Sequence, residues 1–345
     1  YVAQRTPSLA AARTVVPVLA DGLFGTTDVA LPADDRFAGM SYEDALSAFE
    51  AEPPIRVLFE EGAADGYPAG TPMARFEARF DAWPAPATTA TSWFLGPGGG
   101  AGGEGGLADA GPVDGAPTTS EYLALPDATP ATFYAGSGNG IWAADVHYDW
   151  QQGGPGTYAA FVSDPLTADT AVIGTGSVDL WIEVDTVDGT PAADTDLEVT
   201  ISEVRPGSDG QPIEVYVQSG WLRASQRALD EHASTALRPV HTHLEADAAP
   251  LPDEPTLVRV ELFPFAHVFR SGSRIRLSVD APGGNRGVWV FDTIAGGERV
   301  TITSDDDHPS ALVLPVVDLA AAGVTVPGYP DPCALRGQPC RPYLP

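Results

Sequence analysis

The chain contains no lysine. All 18 of its basic residues are arginine, against 47 Asp and Glu, and the formal net charge is −29. A field of that sign repels phosphate backbones and anionic lipid surfaces, which argues against nucleic acid and acidic membranes as partners. Solubility in salty or extracellular surroundings explains it more simply than a dedicated cationic partner. No apolar run approaches the about 20 residues of a membrane-crossing helix. Cysteine is down to two residues and histidine to six, and no Cys or second His pair stands beside His241 and His243 to complete a metal set. No internal repeat is visible.

Both cysteines lie in the tail PDPCALRGQPCRPYLP. The residues Ala-Leu-Arg-Gly-Gln-Pro between Cys333 and Cys340 can loop to bring the two together. A disulfide is expected there, and with it an oxidising, secreted or extracellular setting. Its effect would be to pin a Pro-rich end. The alternative is two free thiols in a frayed tail. No signal peptide is seen and the chain opens on Tyr1, which reads as a mature, processed or truncated form.

What the chain does have is 345 residues with 43% hydrophobic content, enough for two domains or one large all-β domain. Residues 1–19 suit a helix around Pro7. Residues 41–51 suit another, with Ser41 as N-cap and Glu43 and Asp44 in the first turn. Ile55–Phe59 reads as a nearly continuous apolar strand, the kind found in a parallel sheet covered on both faces. Residues 72–80 read as a helix or turn, and the Gly-rich 96–117 as a surface loop or linker. Short strands then follow near 131–134, 158–162, 178–184, 197–204, 213–218, 257–262, 274–280, 287–291, 299–303 and 311–317, separated by Gly and Pro turns. Residues 221–232 interrupt them as helix or loop. The boundaries expected are 1–85 for an α/β segment, 86–120 for the linker, 121–318 for a β-sandwich and 319–345 for the tail.

The most informative stretch is 257–280, LVRVELFPFAHVFRSGSRIRLSVD. Val258, Val260 and Leu262 alternate with Arg259 and Glu261; Ile275, Leu277 and Val279 alternate with charged and polar residues. An aromatic corner (Phe263, Phe265, Phe269) and the turn Arg270-Ser271-Gly272-Ser273 are expected between the two strands. This pattern resembles the C-terminal β-domain of the cocaine-esterase and X-prolyl dipeptidyl-peptidase family of serine hydrolases. VDLWIEV (178–184), 194–210, QSGWLRASQR (218–227) and DHPSALVLPVV (307–317) are similar to that family in order and spacing. The resemblance covers about residues 55–318. It implies a mainly β fold: a C-terminal jelly-roll (galactose-binding-like) β-sandwich, preceded by a short α/β segment resembling the end of an α/β-hydrolase domain.

The departure from the family is the catalytic centre. No Ser has Gly at both i−2 and i+2, so no nucleophile elbow is present. No catalytic residue is carried over, and no cofactor or metal is expected. The resemblance implies a non-catalytic role, with an N-terminal α/β-hydrolase polypeptide of the same precursor as partner. Tyr148 and Trp150, in the Gly-bounded loop HYDWQQGG, are the substrate-pocket candidates, with packing between domains as the plainer account. His241, His243 and Glu245 would share a strand face as metal ligands, although a polar strand face suffices. Asp305–Asp307 with His308 could take Ca²⁺ but lacks the alternating ligands and glycine of a Ca²⁺ loop, and a solvated acidic turn is the simpler reading. Trp181 and Trp221 fit core or sheet-edge positions, and Trp289 and Phe291 one strand face. A stand-alone jelly-roll module binding carbohydrate or protein is the rival reading.

Overall fold

The computed structural model describes residues 7–24, 36–67, 69–100, 103–112, 117–128, 150–283, 291–294 and 296–345. The strand expected at 131–134, Tyr148, Trp289 and all but the last residue of the strand expected at 287–291 lie outside this set. The described residues fall into two compact units. One joins the chain up to Pro86 to Leu319–Gly337, and the other takes the rest from Ala87 onward with Gln338–Pro345.

In the first unit α1 spans Pro7–Phe24 and α2 Tyr42–Glu50. α1 opens on proline, whose missing N–H costs nothing in a first turn. Ser41 caps α2, its Oγ accepting from the Asp44 N–H at 3.1 Å, with Glu43 and Asp44 facing the helix dipole. Next come β1 (Ile55–Phe59) and β2 (Phe76–Phe80), which pair antiparallel from Ile55↔Phe80 to Phe59↔Phe76. The Phe59 and Phe76 rings stack with centroids 4.8 Å apart.

Two expectations are corrected here. β1 lies in a two-stranded antiparallel ribbon, not in a parallel sheet covered on both faces, and it turns Arg56 and Leu58 to solvent. Residues 76–80 form a strand where a helix or turn was expected. Phe76, Ala78 and Phe80 alternate with Glu77 and Arg79, a period-two signal that outweighs the helical propensity of Glu, Ala and Arg.

The second unit is mainly β. Its strands are β3 (Thr89–Leu95), β4 (Gly105–Ala108), β5 (Thr118–Ala124), β6 (Tyr158–Ser163), β7 (Thr170–Asp185) and β8 (Asp196–Pro206). They continue as β9 (Pro212–Arg223), β10 (Thr256–Phe269), β11 (Arg274–Asp280), β12 (Glu298–Ser304), β13 (Ala311–Val317) and β14 (Cys340–Pro342). Hydrogen bonding runs in the order β14-β9-β8-β11-β6-β4-β3-β13-β7-β12-β5, with β10 added on β7. All pairs are antiparallel except β4 with β6. The Gly-rich region expected as a linker thus supplies β3, β4 and the start of β5. The aromatic corner expected at 263–269 is strand as well: β10 runs on to Phe269 and absorbs the irregularity as a bulge between Leu262 and Phe265.

β7 is the hub. One of its edges takes β10 along most of its length, and β13 and β12 bond to it in succession. Where β12 gives way to β13, Ser310 fills the break: its Oγ accepts from the Trp181 N–H at 2.9 Å and donates to the Thr303 carbonyl at 2.7 Å. The strand path folds back, so that β10 packs on β8 and β9 without bonding to them. The space between fills with Leu197, Val199, Ile201, Val258, Val260, Leu262, Ile275 and Leu277, all fully buried. Each such side chain contributes about 1.5–3 kcal/mol by leaving water. Gly220 makes the approach possible, because a Cβ at that position would overlap the Glu261 carbonyl oxygen.

Candidate functional site

The polar positions of β8, β9 and β11 do not all face water. Arg276, on the alternation that leaves Ile275 and Leu277 in the core, has a side chain only 1% exposed. Its Nε donates to Glu104 at 2.5 Å, its Nη1 to Glu214 at 3.0 Å and its Nη2 to the Gln152 side-chain oxygen at 2.9 Å. Glu214 also accepts from the Ser202 hydroxyl at 2.6 Å and from Arg341 Nε at 2.7 Å. The Tyr343 hydroxyl donates to the second oxygen of Glu104. Two carboxylates and two guanidinium groups therefore balance, which is the condition for burying them. Burial raises the Glu214 carboxyl, but the Arg276 and Arg341 charges outweigh it and hold the group below its ordinary range. Burial and the hydrogen bond to Glu104 push the Tyr343 hydroxyl well above its ordinary range.

Trp150, one of the two pocket candidates, is attached to this network. The Arg341 guanidinium lies 3.6 Å over its ring, and Tyr216 meets it edge-on at 5.6 Å. The side chain is half-buried against its own unit. Tyr148, its companion, lies outside the described residues.

A second buried pair joins β8 to β10. His267 Nε2 is 3.2 Å from Glu203 Oε2, and the other Glu203 oxygen accepts from the Arg270 N–H at 2.9 Å. Burial raises this carboxyl too, but His267, Arg205 and the Arg270 amide lower it further.

The remaining candidates are not assembled into sites. His241 and His243 are not on a regular strand. His243 sits at φ 50, their rings are 5.7 Å apart, and Glu245 begins a 3-10 turn. Among the described residues no three Asp, Glu, His or Cys side chains converge on a metal position. Asp305 serves as a turn acceptor, taking the N–H groups of Asp307 and His308 at 2.9 and 2.7 Å and lying 3.0 Å from His308 Nδ1. With Ser310 two residues on, this Asp-His pair invites comparison with a triad. Ser310, however, is committed to the Thr303 carbonyl and the Trp181 amide, and the His308 ring packs on Trp181 at 4.9 Å. Geometry, not inventory, makes a triad. Trp181 and Trp221 are half-buried, Trp221 against Phe263 at 5.3 Å. Cys333 and Cys340 form the expected disulfide.

Sequence reasoning missed the Arg276 and Glu203 clusters. Alternation marks which strand face is apolar; it does not tell whether the polar face meets water or a covering segment.

The mainly β unit thus pairs its buried Arg276 and Arg341 with Glu104 and Glu214, and its buried His267 with Glu203. Residues 47–291 match the family described as the X-Pro dipeptidyl-peptidase C-terminal non-catalytic domain, and the chain belongs to that family. Among solved structures it is similar to a CocE/NonD family hydrolase from Staphylococcus aureus, at 18% identity and TM-score 0.54 over 82% of this chain and 47% of that one. A second structure of a CocE/NonD family hydrolase from that organism matches at 19% identity and TM-score 0.50, over 70% of this chain and 39% of the other. An α-amino acid ester hydrolase matches at 18% identity and TM-score 0.54, over 86% of this chain and 47% of its own. At these identities the likeness is one of fold. The chain spans less than half the length of each of these structures. No curated protein matches it. Among the described residues no helix is long and apolar enough to cross a membrane.

Proposed function

We propose that this chain is the accessory C-terminal portion of a secreted α/β-hydrolase-type serine hydrolase, with a jelly-roll sandwich that supports a catalytic polypeptide and helps shape its pocket. The family match over residues 47–291 carries the reading. In the parent reaction a Ser attacks an ester or amide carbonyl, a His takes the proton, and N–H groups or a Tyr hold the oxyanion. An N-terminal α/β-hydrolase polypeptide of the same precursor supplies those groups. Trp150, held by Arg341, and Tyr148 are the residues of this chain assigned to the pocket wall. The disulfide supports an oxidising, extracellular setting.

The test is hydrolysis of p-nitrophenyl esters and X-Pro p-nitroanilides. Activity is expected in the protein isolated from its source and not in this chain by itself. Turnover by this chain alone would refute the reading. A stand-alone binding module is the second reading, favoured by one observation: Phe263 is 48% exposed beside Trp221, an aromatic surface suited to a sugar face. It requires saturable glycan binding with a change in Trp fluorescence and no dependence on a hydrolase chain.

A further inference from the structure

Strong exposure of large apolar side chains is concentrated in the smaller unit. Among the described residues fifteen such side chains are strongly exposed, and nine of them belong to it. Three lie on α1: Val15 at 49%, Val18 at 71% and Leu19 at 50% exposed. Their i, i+3, i+4 spacing places them on one stripe of the helix. A fourth is Leu58 on β1, 49% exposed. β1 pairs only with β2, which leaves its other edge outside any ladder among the described residues. A two-stranded ribbon is marginal in water by itself, and an open strand edge invites a further strand, with Leu58 sharing its exposed face with Arg56.

We infer that the Val15–Val18–Leu19 stripe of α1 and the Leu58-bearing edge of β1 are docking elements for the α/β-hydrolase catalytic polypeptide. This rests on the function proposed above and names the surface through which it works. Three observations select that occupant. More than half of each matched structure lies outside the part this chain covers. The family is by description a C-terminal non-catalytic domain, so the catalytic part precedes it. α1 (Pro7–Phe24) lies ahead of the matched range 47–291, where an element serving the preceding domain belongs.

The experiment compares hydrogen exchange in the protein isolated from its source, hydrolase part included, with exchange in this chain alone. We expect amides of residues 15–19 and 55–59 to exchange at least tenfold more slowly in the hydrolase-containing form. The double variant Val18→Asp, Leu19→Asp should abolish that difference at α1 and weaken retention of the hydrolase part by more than about tenfold, as loss of interface anchors does. Val187→Asp, at a position 68% exposed in the other unit, should change neither. Equal exchange in both forms, with the hydrolase present and retained by the double variant, would overturn the docking assignment and leave the proposed function standing. Protection that appears in this chain alone and grows with its concentration would assign the stripe to a second copy instead. If no hydrolase polypeptide accompanies the chain, the proposed function fails first and this assignment with it.

Discussion

Glu214 shows how a residue that looks like ordinary strand polarity becomes a point of vulnerability. Its carboxylate is satisfied by Arg276, Arg341 and Ser202, and its side chain is only 1% exposed. Replacing it removes one charge from a balanced set and leaves two buried guanidinium groups facing one carboxylate. Breaking a buried pair from one side costs about 3–5 kcal/mol. Glu214→Gln is therefore expected to lower stability by that order at pH 7. The gap should depend on pH with a definite sign. The folded-state pKa of Glu214 lies below its unfolded value, so its contribution is fully present above the unfolded value of about 4.3 and is lost as pH falls through the folded one. Denaturant midpoints of the two proteins should differ by a constant amount from pH 7 to about 5 and converge below about 4. Asp179, which burial pushes up, has the opposite sign, but it is common to both proteins and cancels in the difference. A gap that widens in acid would contradict the network as drawn.

Elements were legible where apolar residues alternate with polar ones. Val258, Val260 and Leu262 announced β10, where the alternation survives in the burial pattern; Ile275, Leu277 and Val279 announced β11 by residue type, although Arg276 between them is buried as well. β4 was hidden by glycine. Gly105 and Gly106 are strand residues with no side chain to show a period, and a Cβ on Gly105 would collide with the Phe161 ring. The Gly-rich composition there reflects close packing as much as looseness. β2 carried its signal openly in Phe76, Ala78 and Phe80, at a length too short to outweigh helical propensity in a reading of residues 72–80. The site was less legible than the fold. Trp150 was singled out for its Gly-bounded loop, but its partners Arg341 and Tyr216 lie 191 and 66 positions away, and nothing local links them. At this scale Gly220 gives the sharpest test. It is the point where β9 meets the β10 backbone, so Gly220→Ala must move one strand off the other. A loss of about 1–3 kcal/mol or more is expected in chemical denaturation, as for overpacked cores. A neutral result would mean that the two strands are not held at this spacing.

At the scale of the whole molecule the account turns on a division of labour. The sandwich unit keeps its strongest charges for itself: Arg276 with Glu104 and Glu214, Arg223 with Asp196 at 2.8 Å, Arg259 with Asp179 at 3.0 Å. The Asp-His pair at Asp305 and His308 lacks a nucleophile, because Ser310 is bound to backbone. Among the described residues, nine of the fifteen strongly exposed large apolar side chains belong to the unit that carries residues ahead of the family match, six of them on α1, α2 and β1. The proposed function puts the chemistry on another polypeptide, with this chain holding and shaping it. The most direct test is fluorophosphonate labelling of the protein isolated from its source, read by denaturing intact-mass analysis. The account requires the label on hydrolase sequence outside these 345 residues, with this 35.9 kDa chain unmodified or carrying the label only through covalent continuity with that sequence. A label mapped to a serine within these 345 residues would contradict it.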